Sequence, residues 1–327
     1  MQTYLPIGLG AGFVSAMLFA SASTGTLLGL LVLFFLSPMP VAVAGLGWGW
    51  RAAAVAAIVG ACSIGVIGNV RGILFHALSI GAPTAVLSYY CLLNRDVSSA
   101  GGVAQTEWYP LGRIVVLAAL IASSLAAVAL VSSAADMDDL RKLLGGTIER
   151  MLKRPVGAPG PVGIPDALDP VQTARLTELM VSVFTVSLAT TWLAVAILNL
   201  WLAAHVVARS NRLVRPWPDL AALRLPPPAP IALAAALGGS FLPGFAGLIA
   251  AGLMGALLLA FMFVGLAIIH HATRGQSLRP FYLAGVYAVL VPFIALAGPA
   301  LALLALAEPF LPRPLRRTQP PQGPPST

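Results

Sequence analysis

The chain has 327 residues, of which 58 % are hydrophobic and 9 % charged, with a mean hydropathy of +0.90 and a formal charge of +8. A soluble domain carries about 25 % charged residues, so this composition excludes an ordinary soluble enzyme and, over most of the length, intrinsic disorder. The pI of about 10.2 does not make nucleic acid a partner, because the bases sit in short patches between long apolar runs, where they read as topology signals against an anionic leaflet.

The expected fold class is an all-α polytopic integral membrane protein with the lipid bilayer as its first partner. At about 20 residues per crossing, the chain accommodates eight or nine transmembrane helices, several broken by Pro or Gly, plus one amphipathic interfacial helix. The first is Pro6–Ala22; no Lys or Arg precedes it, so it reads as a retained helix rather than a signal peptide. Its small residues Gly8, Gly12, Ala16 and Ala20 repeat every four positions. That face suits close approach of another helix, from this chain or a partner. Leu27–Gly45 is the second segment, and Ser37–Pro38–Met39–Pro40 must kink or unwind it. Trp48 and Trp50 beside Arg51 read as an interfacial anchor.

Ala52–Asn69 and Gly72–Leu93 are the third and fourth segments, the latter carrying His76 and Gly81–Ala82–Pro83. A polar link, Val97–Thr106, leads to a second interfacial cluster around Trp108 and Tyr109, and then to segment five, Ile114–Ser132. Residues 1–133 thus form an N-terminal five-helix unit. Ala134–Thr177 is an external polar insertion. Within it Leu140, Leu143, Leu144, Ile148, Met151 and Leu152 recur at helical spacing over Asp138–Arg154, the pattern of an amphipathic helix, and a Pro/Gly-rich loop follows. The C-terminal helices, residues 178–307, are Glu178–His205, the short and glycine-interrupted Ile231–Leu242, Phe245–His270 and Pro280–Ala307. Residues 308–327 form a basic, proline-rich tail expected to be disordered.

The chemistry-bearing residues are few. The first 133 residues hold six ionisable acids or bases, Arg51, Arg71, Arg95, Asp96, Glu107 and Arg113, none in the middle of an apolar run. An intramembrane carboxylate, the usual proton relay, is therefore not indicated. Asn69, Arg71 and His76 lie close together near one membrane face and form a candidate polar pocket for an anionic or polar ligand. Asn199, deeper in segment six, is costly in lipid and should face protein, either as packing glue or as a fourth member of the candidate polar pocket. Cys62 and Cys91 sit in apolar runs and indicate no disulfide. His270 and His271 point about 100° apart on a helix and have no ligand at i+3 or i+4, so no metal is expected. With no P-loop, nucleophile elbow or zinc motif, no enzyme activity and no cofactor are expected, and any ATP-driven process needs a separate ATPase.

Charge counting puts the N-terminus in the cytoplasm, with Arg51, Arg95, Arg113, Arg209, Arg212, Arg215, Arg224, Arg274 and Arg279 on the cytoplasmic side. Nine full crossings would then place the basic tail outside, against the bias. Either Ile231–Leu242 is a re-entrant or half-depth helix, which puts the tail inside but Arg274 and Arg279 outside, or the charge rule fails for the tail.

Leu9–Gly10–Ala11–Gly12, Leu36–Ser37–Pro38–Met39–Pro40 with Gly45–Leu46–Gly47–Trp48–Gly49, Glu107–Trp108–Tyr109–Pro110–Leu111–Gly112–Arg113, and Gly265–Leu266–Ala267–Ile268–Ile269–His270 follow in an order that resembles the YybS-like family of bacterial polytopic membrane proteins. That family is distantly similar to the substrate-binding S components of energy-coupling-factor transporters. The resemblance implies a bacterial inner-membrane location and a permease-like protein that binds a small solute of unknown identity, working with separate coupling and ATPase partners. On that analogy Gly8, Gly12, Ala16 and Ala20 would meet the coupling protein. The alternative is a non-transporting scaffold or assembly factor for other membrane proteins.

Overall fold

The computed structural model describes residues 3–26, 32–98, 104–152 and 170–310. They are almost entirely helical: α1 (Tyr4–Ala20), α2 (Pro38–Trp48), α3 (Trp50–Ile67), α4 (Val70–His76), α5 (Ala82–Leu92), α6 (Leu111–Ser133), α7 (Met137–Leu152), α8 (Pro170–Arg209), α9 (Ala229–Gly239), α10 (Gly244–Ala272), α11 (Arg279–Leu290) and α12 (Ile294–Ala307). The polar link between segments four and five is a two-stranded antiparallel hairpin, β1 (Asn94–Ser98) against β2 (Ala104–Trp108). Five helical stretches are long and apolar enough to cross a membrane: Trp50–Ile67, Val70–Leu92, Leu111–Ser133, Arg175–Arg209 and Gly244–Ala272.

These helices and the shorter α9, α11 and α12 are apolar all round, and their outer faces expose large side chains such as Val66, Ile231, Phe281 and Leu296. Water would not tolerate such a surface; lipid does. Inside, the contacts are made by small residues. The buried positions of α3 are Ala52, Ala53, Ala56, Gly60, Ala61 and Ile64, and those of α10 include Gly247, Ala251, Gly252, Gly255 and Ala256. In lipid there is little hydrophobic drive between helices, so close backbone approach and dispersion supply the attraction. One core joins α2, α5, α6, α8, α9, α10 and α12, and a smaller one joins α1, α2 and α3.

α2 and α3 are joined by one residue, Gly49, at φ 90°, a left-handed conformation that a side chain would strain. α3 therefore reverses direct from α2. α1 lies parallel to α3, with Gly8 over Val55 and Gly12 over Ala56 and Val59. The amphipathic segment forms α7, where Leu140 is buried beside Leu130, Val181 and Leu248 while Leu143 is half exposed. The side chains of Leu144, Ile148, Met151 and Leu152 lie outside the described residues, as do residues 153–169 and the tail 311–327. α7 packs on α8, whose forty residues span about 60 Å at 1.5 Å per residue, twice a bilayer core. The N-terminal turns of α8 therefore rise beyond the apolar layer, and Arg141 pairs there with Glu178 at 2.6 Å.

The last segment corrects the sequence expectation. Pro280–Ala307 reads as a single ninth crossing but folds as a helical hairpin, α11 and α12, with a break at 291–293. Pro292 supplies no N–H, which ends α11. α12 returns beside α10 in parallel, Gly298 facing Met262 and Gly265 facing Leu301. At about 18 and 21 Å, neither arm reaches across a core of about 30 Å. Both ends of the hairpin are tied to one loop. Arg274, before it, donates from Nη1 to Asp219 Oδ2 at 2.9 Å and from Nη2 to Oδ1, and Glu308, after it, accepts from Arg224 at 3.4 Å. The chain thus leaves and re-enters the same end of the bundle. α9, at eleven residues and about 16 Å, makes only part of a crossing as helix, and the 224–228 stretch leads into it.

The Asp219–Arg274 clamp sets a pH expectation. Its hydrogen bonds from Arg274 hold the Asp219 carboxyl below the usual carboxylate range. A depressed folded value means that the clamp's contribution is present above the unfolded pKa, about 3.9, and is lost as pH falls through the folded value. Between pH 5 and 8 the hairpin base should be unchanged. As pH is lowered below about 3.9, amide exchange over residues 274–279, corrected for intrinsic rates, should accelerate, and Asp219→Asn should show the fast rate at pH 7. Equal protection at both pH values would show that the clamp does not hold the hairpin.

Candidate functional site

The most polar part of the buried interior is built around two interruptions of helix. The first is the turn 34–37 before α2, where Pro38 and Pro40 cannot supply N–H groups to the carbonyls four residues earlier. The second is the π-helical stretch Ala77–Gly81 between α4 and α5, followed by Pro83. Carbonyls freed in this way need donors from elsewhere, since lipid offers none. Phe34 O and Leu36 O are retaken by Ser37 N and Met39 N at 3.1 and 3.0 Å, and three side chains serve the neighbouring carbonyls of Ser37 and Phe35 and that of Ser79. Ser15 Oγ of α1 donates to Ser37 O at 2.7 Å. Asn199 Nδ2 of α8 donates to Phe35 O at 2.8 Å and to Val195 O at 2.8 Å. Trp192 Nε1 donates to Ser79 O at 2.8 Å, the carbonyl that would have accepted from residue 83 had it not been proline.

His76 joins the same centre. Its Nε2 lies 3.1 Å from Ser15 Oγ. Because the single hydroxyl proton of Ser15 goes to Ser37 O, the histidine donates from Nε2, and Nδ1 carries the free lone pair. The ring sits against Gly60, where a Cβ would strike Cε1, and meets the edge of Phe19 at 5.4 Å between centroids. Phe19 in turn contacts Phe34 and Phe75 at 5.5 and 5.8 Å. His76, Ser15 and Ser37 are fully buried and Asn199 is 1 % exposed. Asn199 lies ten residues, about 15 Å, inside the end of α8, which is mid-depth for a bilayer.

Among the described residues, three buried polar atoms of this centre have no hydrogen-bond partner: His76 Nδ1, Asn199 Oδ1 and Ser37 Oγ. Two are pure acceptors and the third is a hydroxyl. No lysine or arginine among the described residues is hydrogen-bonded to them. The centre is therefore suited to a hydrogen-bond donor and unsuited to an anion.

The candidate pocket from the sequence divides. His76 and Asn199 come to the same broken turn through Ser15, Ser37 and Phe35. Asn69 and Arg71 do not join them; both are exposed at the start of α4, where Asn69 Oδ1 caps the helix by accepting from Gly72 N at 3.0 Å. Ser15, Ser37 and Trp192 were missed. The signal for them was indirect: each proline identifies an orphaned carbonyl, but not its donor. Gly8, Gly12 and Ala16 are buried, with Gly8 and Gly12 against α3, and Ala20 is half-buried. Trp48, Trp50, Trp108 and Tyr109 gather at one end of the bundle. Trp48 lies under Arg212 at 5.0 Å, and Tyr109 N donates to Leu93 O at 2.8 Å. Ser210 and the Asp219 clamp are at this same end.

A family model described as "Predicted membrane protein (DUF2232)" matches residues 13–307, most of the chain and all of this centre. The chain belongs to the DUF2232 family. No curated protein and no solved structure matches it. For this DUF2232 protein the membrane assignment rests on the family together with its apolar helices; the chemistry must be argued from its own residues.

Proposed function

We propose that this DUF2232 protein is a permease-like membrane protein that receives a small, hydrogen-bond-donating solute at the His76–Ser37–Asn199 centre. The observation that carries the reading is the set of three unpartnered buried polar atoms beside interrupted helices at mid-depth. Each such atom costs about 1–3 kcal/mol if left unsatisfied, and non-helical backbone at membrane depth is characteristic of solute sites in transporters. The phenylalanine wall would exclude water and favour a compact amine or alcohol over a carboxylate. The YybS-like and S-component resemblance supports the same class, with energy supplied by separate ATPases. Since α3 already covers Gly8 and Gly12, a coupling partner would use a different surface from the small-residue face of α1. The second reading, a non-transporting scaffold, is favoured by the height at which α7 and the top of α8 stand clear of the apolar layer.

Ser37→Ala separates binding from stability. Its hydroxyl has no partner to lose, so the unliganded variant should unfold at or slightly above the wild-type midpoint. In detergent, a panel of small amines, polyols and amides should raise the wild-type midpoint for one class and shift Ser37→Ala much less. If no class shifts the wild type, or if the shift survives in Ser37→Ala, the solute reading fails.

The orientation belongs to the same proposal. The chain crosses eight times, by α1, the 32–48 leg, α3, 70–92, α6, α8, the short α9 and α10, and the α11–α12 hairpin dips in from the cytoplasmic side. N- and C-termini are both cytoplasmic. This keeps the nine arginines named above and the basic tail on one side, consistent with the positive-inside bias, and the conflict found by charge counting disappears. Cysteines at Ser132 and Ser210 should label from opposite sides, and one at Phe310 from the same side as Ser210. Labelling of Phe310 with Ser132 would restore a ninth crossing.

A further inference from the structure

We propose that the end of the bundle where α8 turns into the 210–217 loop is a binding site for the phosphate headgroup of an anionic phospholipid. α8 ends with Asn211 in the left-handed conformation at φ 52°, and Arg212 N donates back to Val207 O at 3.1 Å. This C-terminal cap folds the chain over and lays the Arg212 guanidinium on the Trp48 indole, 5.0 Å from its centroid. Arg215 is fixed by donation to Cys91 O at 3.1 Å and lies 5.9 Å from the Trp108 ring. Arg209 occupies the last turn of α8. Among the described residues, none of these three arginines has a carboxylate within ion-pair distance, whereas Arg95, Arg224 and Arg274 at the same end are paired with Glu107, Glu308 and Asp219.

The charges of Arg212 and Arg215 are thus held in place by two indole faces and a backbone carbonyl, and no described carboxylate pairs with them or with Arg209. The helix C-terminus favours cations there, and arginine forks match phosphate oxygens. Beside them, Trp201, His205 and Trp217 stand in contact, with ring centroids 4.1 and 4.3 Å apart, as expected of aromatic groups at headgroup level. Further along α8, Leu198 and Val206 are half exposed, an apolar strip on which an acyl chain can lie. That strip favours a phospholipid over free phosphate, and the charge favours an anionic one. This site is separate from the buried polar centre and does not depend on it.

The test is thermal unfolding of the purified full chain in detergent supplemented with dioleoylphosphatidylglycerol, dioleoylphosphatidylcholine or inorganic phosphate. Phosphatidylglycerol should raise the midpoint by several degrees more than phosphatidylcholine, and less so in high salt; phosphate alone should do nothing. The combined variant Arg209→Gln, Arg212→Gln, Arg215→Gln should lose most of that difference, and Arg71→Gln, at the opposite end, should keep it. Equal effects of the two lipids, retention of the difference in the triple variant, or reproduction of the effect by phosphate alone would each overturn the proposal. If the triple variant does not fold, native mass spectrometry of the wild type with equal amounts of both lipids decides: selective retention of phosphatidylglycerol supports the site, and equal retention refutes it.

Discussion

Gly12→Leu should prevent the α1–α3 pair from forming, while Gly10→Leu, two residues away, should be silent. A Cβ at Gly12 would lie 2.5 Å from Ala56 O, 2.8 Å from Val59 Cβ and 3.0 Å from Gly60 N. Two of these atoms are backbone and cannot rotate away. Even alanine must push the helices apart, and overpacking of this kind costs about 1–3 kcal/mol. Leucine adds a branched side chain where there is no room, so its cost should reach or exceed the top of that range. It also moves Gly60, against which His76 rests. At Gly10 nothing lies within 4 Å of the built Cβ, and a leucine there meets only lipid, which is as apolar as the side chain. Gel filtration of detergent extracts gives the readout: early-eluting aggregate for Gly12→Leu, a wild-type peak for Gly10→Leu and for Leu9→Ala. A monodisperse, heat-stable Gly12→Leu protein would mean that α1 does not pack on α3 as described.

The second large effect is expected at Asn199. Asn199→Leu keeps the volume but removes the donor to Phe35 O, in a turn where Pro38 has no N–H and Met39 N already donates to Leu36 O at 3.0 Å. An orphaned buried carbonyl costs about 1–3 kcal/mol, although single side-chain hydrogen bonds measured inside membrane proteins average nearer 0.6 kcal/mol. The higher range should apply because Phe35 O is in broken helix, where the backbone cannot recapture it. Ser123→Ala is the contrast. Ser123 Oγ donates to Ala119 O at 2.7 Å, a carbonyl inside continuous helix α6, so its loss should cost less than about 0.5 kcal/mol. Midpoints of denaturant unfolding in mixed micelles compare them. Equal costs for the two substitutions would show that the broken turn finds another donor.

Much of the architecture was legible because apolar length and proline position act locally. The boundaries of α3, α6 and α10 follow from where the apolar runs begin and end. Ser37–Pro38–Met39–Pro40 had to interrupt a helix, and it does. The hairpin β1–β2 was not legible, since Asn94–Ser98 and Ala104–Trp108 are polar strands joined across residues outside any apolar pattern. Pro292 was visible, but a proline in a long apolar run permits a kinked crossing as well as a reversal. The reversal is specified by Arg274 reaching Asp219 and Glu308 reaching Arg224, contacts across 55 and 84 residues.

The polar centre divides in the same way. That His76 and Asn199 are costly in lipid, and so must face protein, is a property of the side chains alone. Which protein they face is not: Asn199 meets a carbonyl 164 residues away, and His76 meets Ser15 across 61. In a soluble helix the apolar stripe announces the inner face. Here every face is apolar, so the sequence by itself determined the membrane class, the helical segments and the places where backbone hydrogen bonds fail. Which small-residue face is covered, which donors rescue the broken turns, and that the last apolar run doubles back on itself were decided only by the tertiary packing, because those choices depend on van der Waals fit and paired polar groups rather than on hydrophobic pattern.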